Sequence, residues 1–177
     1  MPPYKIVLLG PESTAKTTLA RQLAKYYKTK WLPEYGRQYL ININRPYNYE
    51  DVVFIAKMQY LREILYSKKS QNFLFVDTDL INIEVWFEIV YNKKPKWLPK
   101  KMSEIFADFY LLCKPDIEWQ PDTVRENGGK MRNYLFEIYK NKLIEYQLNF
   151  AIISGKGNIR FKNCVNEIRK NNKKNKL

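Results

Sequence analysis

Histidine is absent from this 177-residue chain. Its absence removes every Ser-His-Asp and Cys-His nucleophilic system and makes a structural zinc site a poor fit. Any proton transfer must use a carboxylate, a lysine or a tyrosine. Cysteine is scarce: Cys113 and Cys164 have neither metal-binding nor redox spacing, so two reduced thiols are expected. No apolar run reaches the roughly 18 residues of a membrane span, and no early stretch has the form of a signal peptide. The expectation is a cytoplasmic protein with no membrane partner. Acidic residues are outnumbered, 18 against 31 basic, for a formal net charge of +13. Much of that charge lies in Lys68-Lys69, Lys93 to Lys101 and Arg169 to Lys176. Such a surface could hold nucleic acid or attract nucleotide phosphates, or reflect a lysine-rich proteome; nucleic-acid binding is the weaker reading.

One further residue is missing from an informative place. Residues Gly10 to Thr17 read G-P-E-S-T-A-K-T, against the phosphate-loop pattern G-x-x-x-x-G-K-[ST]. Gly10, Lys16 and Thr17 match, and Ala15 stands where the second glycine belongs. The apolar run Ile6-Val7-Leu8-Leu9 precedes the loop as a buried strand would, and Leu19, Leu23 and Tyr26-Tyr27 follow at helical spacing. Strand, tight loop and helix form a phosphate cradle. Main-chain N–H groups through Glu12, Ser13, Thr14, Ala15 and Thr18 would wrap the phosphates, with Lys16 on the β- and γ-phosphates. Thr17 would hold Mg²⁺ through its hydroxyl. At Ala15 two outcomes are open. A left-handed backbone there would cost about 1 kcal/mol or more, while a helical one would tolerate the methyl. Tolerance is favoured, because the rest of the loop is intact.

Four more apolar segments read as strands: Trp31-Leu32-Pro33, Phe73 to Val76, Tyr110 to Cys113 and Phe150 to Ile153. Helical periods fill the gaps: Gly36 to Ile43, Asp51 to Tyr66, Leu80 to Tyr91, Met102 to Phe109, Met131 to Gln147 and Asn158 to Lys170. Lys93 to Lys100, with two prolines, reads as a loop. The pattern predicts an α/β fold: a five-stranded parallel sheet with helices on both faces, the P-loop NTPase arrangement. Ligands then gather where strands end. Gly10, Glu34, Asp77, Lys114 and Ser154 all follow strand ends. Asp77 is placed to hold Mg²⁺ directly or through water, and Asp79 either shares that site or caps the helix starting at Leu80.

Glu34-Tyr35-Gly36-Arg37, Gln59, Asp77-Thr78-Asp79, Asp116-Ile117-Glu118-Trp119 and Arg125-Glu126-Asn127 occur in one order along the chain. Together with the phosphate loop they resemble the ribosylnicotinamide kinase domain of NadR-type bifunctional NAD-synthesis proteins, in the P-loop nucleoside and nucleotide kinase group. The resemblance covers about Tyr4 to Ile168 and departs at Ala15. It implies one kinase domain over residues 1–170 with a lid near 119–134, followed by a flexible basic tail at 171–177. At this length no adenylyltransferase or DNA-binding domain is expected beside it. The implied reaction is ATP- and Mg²⁺-dependent phosphorylation of nicotinamide riboside at its 5′-hydroxyl. The alternatives are a kinase for another nucleoside, an NTPase, or a nucleic-acid-binding module; oligomeric state is left open.

The resemblance also assigns roles. Glu34 would orient the acceptor hydroxyl and take its proton, or else pair with Arg37 for structure. Arg37 would touch substrate or the transferred phosphate. Gln59 would bond the nicotinamide carboxamide or the ribose, or lie on the surface. Tyr35 and Asp79 would complete the acceptor site, with Trp31, Tyr35, Trp86 and Trp119 the candidates for stacking. Arg125 and Arg132 would close from the lid onto the phosphates, or remain exposed basic residues. Ser154 to Asn158, with Arg160 beyond, would hold the adenine edge.

Overall fold

The computed structural model describes residues 2–122 and 127–174. Five parallel strands form the centre: β1 (Tyr4–Leu9), β2 (Lys30–Leu32), β3 (Phe73–Asp77), β4 (Phe109–Cys113) and β5 (Phe150–Ile153), in the order β2-β3-β1-β4-β5. The register is continuous, with Val7 opposite Val76 on one side and Tyr110 on the other. Ile6 to Leu9, Leu74 to Val76 and Tyr110 to Cys113 are fully buried, because helices cover both faces of the sheet.

On one face lie α1 (Lys16–Tyr26) and α7 (Gly157–Lys174), packing Leu19, Leu23, Cys164 and Ile168 against Ile6, Leu8 and Phe75. On the other lie α3 (Tyr49–Lys69), α4 (Leu80–Trp86) and α6 (Lys130–Glu145). The short helices α2 (Tyr35–Asn42) and α5 (Leu98–Ser103) complete the set. A capping box starts α3: Asn48 accepts from the Asp51 N–H at 3.1 Å, and Asp51 accepts from the Asn48 N–H at 2.8 Å. Both terminal nitrogens of the Arg45 guanidinium reach Asp51 at 2.7 Å and hold its carboxyl far below the usual range. Both thiols are free and buried.

Three expectations shift. The helix expected over Met102 to Phe109 lies earlier, and the segment Lys93 to Lys100 is not all loop: α5 begins at Leu98, with Pro99 in its first turn where a missing N–H costs nothing, and ends at Ser103. The Leu80–Tyr91 period is α-helical only to Trp86; a wider π turn carries it through Tyr91 and ends at left-handed Asn92. Fully buried Glu84 is satisfied there by Lys94, by Lys142 at 3.5 Å and by the Tyr146 hydroxyl at 2.7 Å. The tail does not begin at 171. The last helix runs to Lys174, and Asn171 is buried, accepting from Asn149 at 2.6 Å and donating to the Tyr4 hydroxyl at 2.5 Å.

Candidate active site

A cavity of about 410 Å³ opens over the C-terminal ends of β1 and β3, where the sheet order diverges to either side of β1. The phosphate loop forms one wall, with Gly10 and Glu12 to Thr18 lining it. Gly10 has φ +139°, and a Cβ there would lie 2.6 Å from the Cys113 carbonyl oxygen. A side chain would thus collide with the backbone of β4.

Ala15 overturns the favoured outcome: its backbone is left-handed, φ 65° and ψ 21°, immediately before α1. Ser13 is left-handed too, at φ 55°. The loop must reverse on itself to enter the helix, and the position that closes the turn carries a methyl group. That conformation costs about 1–2 kcal/mol for a residue with a Cβ. Ala15→Gly should therefore stabilise the free protein, less the ~0.4–1 kcal/mol by which glycine enlarges the unfolded ensemble. The expected result is a higher urea midpoint at unchanged m-value; a lower midpoint would mean that the left-handed turn carries no strain.

Lys16 donates from Nζ to the Pro11 carbonyl at 2.8 Å, and the Thr14 hydroxyl donates to the same oxygen at 2.8 Å. The Thr17 hydroxyl donates to Asp77 Oδ2 at 2.5 Å. The other oxygen, Asp77 Oδ1, is buried with no hydrogen-bond partner among the described residues. An unpartnered anionic oxygen beside a hydroxyl at the phosphate end is a donor set that fits Mg²⁺. Burial pushes the Asp77 carboxyl above its usual range, against Lys16, the Thr17 hydrogen bond and Arg37. Among the described residues no cluster of three or more carboxylates or thiols forms an all-protein metal cage.

Glu34 caps the N-terminal end of α2 by position and lines the cavity between the phosphate loop and its far end. Burial, then the Asp77 charge, pushes its carboxyl up to about 7, with Lys16 and Arg37 pulling the other way. A carboxylate poised there suits a proton acceptor at neutral pH. Among the described residues Glu34 forms no ion pair with Arg37. Arg37 lines the cavity and binds Asp122 at 2.6 Å.

The far end is apolar and aromatic: Leu40, Tyr47, Val85, Trp86, Ile89, Val90, Leu135 and Tyr139. The Tyr139 hydroxyl donates to Asn82 Oδ1 at 2.7 Å. Of the four stacking candidates only Trp86 borders this space; Trp31 packs near α1, and Trp119 covers Gly128. Tyr47, Asn82 and Tyr139 were not expected. A signal existed for Asn82, which falls with Val85, Trp86 and Ile89 on one stripe at spacings of three and four residues.

Three expected acceptor-site residues lie elsewhere. Gln59 is buried in the protein interior; its amide donates to Thr78 O and Glu63 at 3.2 Å and accepts from the Tyr35 N–H at 3.4 Å. Its polar atoms are consumed within the fold. Asp79 caps α4, accepting from the Ile81 N–H at 3.0 Å and the Tyr110 hydroxyl at 2.9 Å. Tyr35 is not among the residues lining the cavity; its ring lies 6.2 Å from that of Phe54, tilted by 58°, with the Arg62 guanidinium 5.3 Å from its centre.

Arg132 also differs from expectation. It is 6% exposed and turns its guanidinium onto main-chain carbonyls: Glu12 at 3.2 Å, Ser13 at 2.9 Å and Ile117 at 2.9 Å. Arg125 lies outside the described residues. Near the expected adenine edge, Arg160 binds Asp116, the Gly155 carbonyl at 2.8 Å and the Lys114 carbonyl at 2.5 Å. That side chain ties the ends of β4 and β5 together.

A parallel β2-β3-β1-β4-β5 sheet, with a phosphate loop after β1 and carboxylates after β2 and β3, is a P-loop fold, the one shared by nucleoside and nucleotide kinases. Residues 5–160 match the family described as AAA domain, and the chain belongs to that family. It is 24% identical over 152 residues to the trifunctional NAD biosynthesis/regulator protein NadR of Salmonella typhimurium strain LT2, covering 80% of this chain and 37% of that protein. The chain thus spans little more than a third of this curated relative. A solved NadR protein in complex with NR superimposes with a TM-score of 0.81 at 23% identity, over 95% of this chain and 51% of the other. Thymidylate kinase from Ehrlichia chaffeensis superimposes at 0.70 with 10% identity, over 95% of this chain and the whole of that one. No described helix is long and apolar enough to cross a membrane.

Proposed function

We propose that this chain transfers the γ-phosphoryl group of ATP to the 5′-hydroxyl of nicotinamide riboside, giving NMN and ADP. The observation that carries the proposal is the placement of Glu34 in one continuous cavity, between a phosphate loop and an aromatic end. Phosphoryl transfer demands chiefly positioning and charge stabilisation. Loop N–H groups and Lys16 hold the phosphates. Thr17 and Asp77 are the residues that would hold Mg²⁺, which when bound neutralises and orients phosphate oxygens. Glu34 takes the proton of the attacking hydroxyl as the new O–P bond forms and ADP departs. Arg37 borders the same space and is placed to meet the transferred phosphate.

The acceptor's pyridinium is flat and cationic, and Tyr47, Trp86 and Tyr139 line the cavity with aromatic rings, which attract such a group. The similarity to NadR, one form of which was solved with nicotinamide riboside, supports this acceptor over other nucleosides. The test is ADP release with Mg²⁺ and ATP across a panel of nucleosides. Nicotinamide riboside should raise the rate well above that with water alone and above thymidine and deoxyadenosine. Stimulation by another nucleoside instead would reassign the acceptor; equal rates with every acceptor would rule out a kinase.

A further inference from the structure

The phosphate loop holds two side-chain-bearing residues in left-handed conformations, Ser13 at φ 55° and Ala15 at φ 65°. Backbone strain of that kind persists only where the surroundings over-determine it. The crest of the loop is indeed pinned from outside. Ser13 Oγ accepts from the Gln120 N–H at 3.0 Å, and the Glu12 carboxylate accepts from the Asn127 N–H at 3.1 Å. The strongest pin is Arg132, whose three guanidinium nitrogens each donate to a different carbonyl, two of them in the loop itself. The rigid planar fork fixes the Glu12 and Ser13 carbonyls relative to Ile117, and its burial shields those bonds from competing water.

From this geometry we infer that Arg132 is a positioning residue that holds the phosphate loop in the shape a glycine at position 15 would otherwise allow without strain. The side chain acts through the loop backbone: its guanidinium bonds the Glu12 and Ser13 carbonyls, and Arg132 is not among the residues that line the cavity. With the fork in place, an alanine suffices at the turn. Without it, the loop relaxes out of the left-handed conformation and the N–H groups lose their convergence on a phosphate. A glycine at position 15 removes the drive to relax, so it should compensate for the loss of Arg132. The inference about nucleotide affinity rests on the reading of this loop as an ATP cradle, but the strain itself does not.

The experiment is a double-mutant cycle of Arg132→Met and Ala15→Gly on the full chain, read in two ways. In calorimetric titration with MgATP, Arg132→Met should raise Kd by roughly tenfold or more, the scale of a left-handed penalty. Ala15→Gly alone should shift Kd by less than about threefold, and adding it to Arg132→Met should recover most of the loss. An equal loss in both backgrounds, or an unchanged Kd with a fall in kcat alone, would place Arg132 on the nucleotide and overturn the inference. The second reading needs no nucleotide. The rise in urea midpoint from Ala15→Gly should vanish in the Arg132→Met background, because the strain has already been released. The same rise in both backgrounds would show that something other than Arg132 holds the turn. If the native chain fails to bind MgATP, the functional reading fails and the urea cycle alone decides. Should Arg132→Met not fold, Arg132→Lys, with one nitrogen in place of three, serves in the same cycle with smaller shifts in the same directions.

Discussion

Glu34→Gln should lower turnover roughly 10²–10⁴-fold, the usual scale for a lost acid–base group. Glutamine keeps the shape and can still accept a hydrogen bond, so acceptor affinity should change little. ATP affinity should hardly move, since Lys16, Thr17 and Asp77 serve that end of the cavity. The pH dependence sharpens the expectation. With its carboxyl pushed up to about 7, native kcat/KM should rise as pH increases through that region, when Glu34 becomes able to accept a proton. The variant should lack that limb. Stability should move the opposite way. A folded-state carboxyl above its ordinary value of 4.5 binds more protons than the unfolded chain does, so its contribution declines as pH rises from there towards 7. Glu34→Gln should therefore be relatively more stable above neutral pH while being far less active. A variant that loses ATP affinity instead would place Glu34 in the metal shell, and one that keeps full turnover would remove it from catalysis.

Lys16→Ala should reduce turnover by at least about 10²–10³-fold, the range seen when one preorganised donor to a developing charge is removed. Among the described residues its side chain bonds the Pro11 carbonyl alone, at 2.8 Å, and the residue is only partly buried. The far-ultraviolet circular dichroism and the thermal midpoint should accordingly stay near those of the native chain. Single-turnover kinetics at saturating ATP separate the two possible losses. A slow chemical step at full occupancy assigns Lys16 to the transition state, whereas a rate restored by more ATP assigns it to ground-state binding alone. A collapse of the fold together with activity would show that the lysine holds the loop together.

The sheet was legible because parallel strands covered on both faces become unbroken apolar runs, and Ile6 to Leu9 and Phe73 to Val76 have no other reading. The phosphate loop, Glu34 and Asp77 were legible for a related reason: strand ends place main chain, and these residues stand next to strand ends. Direction was not legible. Tyr35 follows Glu34 by one residue and turns towards α3, while Asp79 follows Asp77 by two and is drawn under α4 by the Ile81 N–H and the Tyr110 hydroxyl. Gln59 was misassigned because a glutamine inside a buried polar network looks the same in sequence as one awaiting a ligand. Pro99 was read as a breaker, although a first helical turn accepts proline freely. Tyr47 and Tyr139 lie far apart along the chain, and only the tertiary fold brings them to one wall.

Gly10 changes how lesions in this loop must be interpreted. The Cβ that any other residue would bring lies 2.6 Å from the Cys113 carbonyl oxygen, in the seam between β1 and β4. A substitution at position 10 is thus a wedge driven into the sheet, and it empties the cell of folded protein before the nucleotide is ever met. A genetic screen that scores growth would group Gly10 with Lys16 as equally indispensable. Scoring abundance beside growth would split them, one lesion belonging to the scaffold and the other to the chemistry.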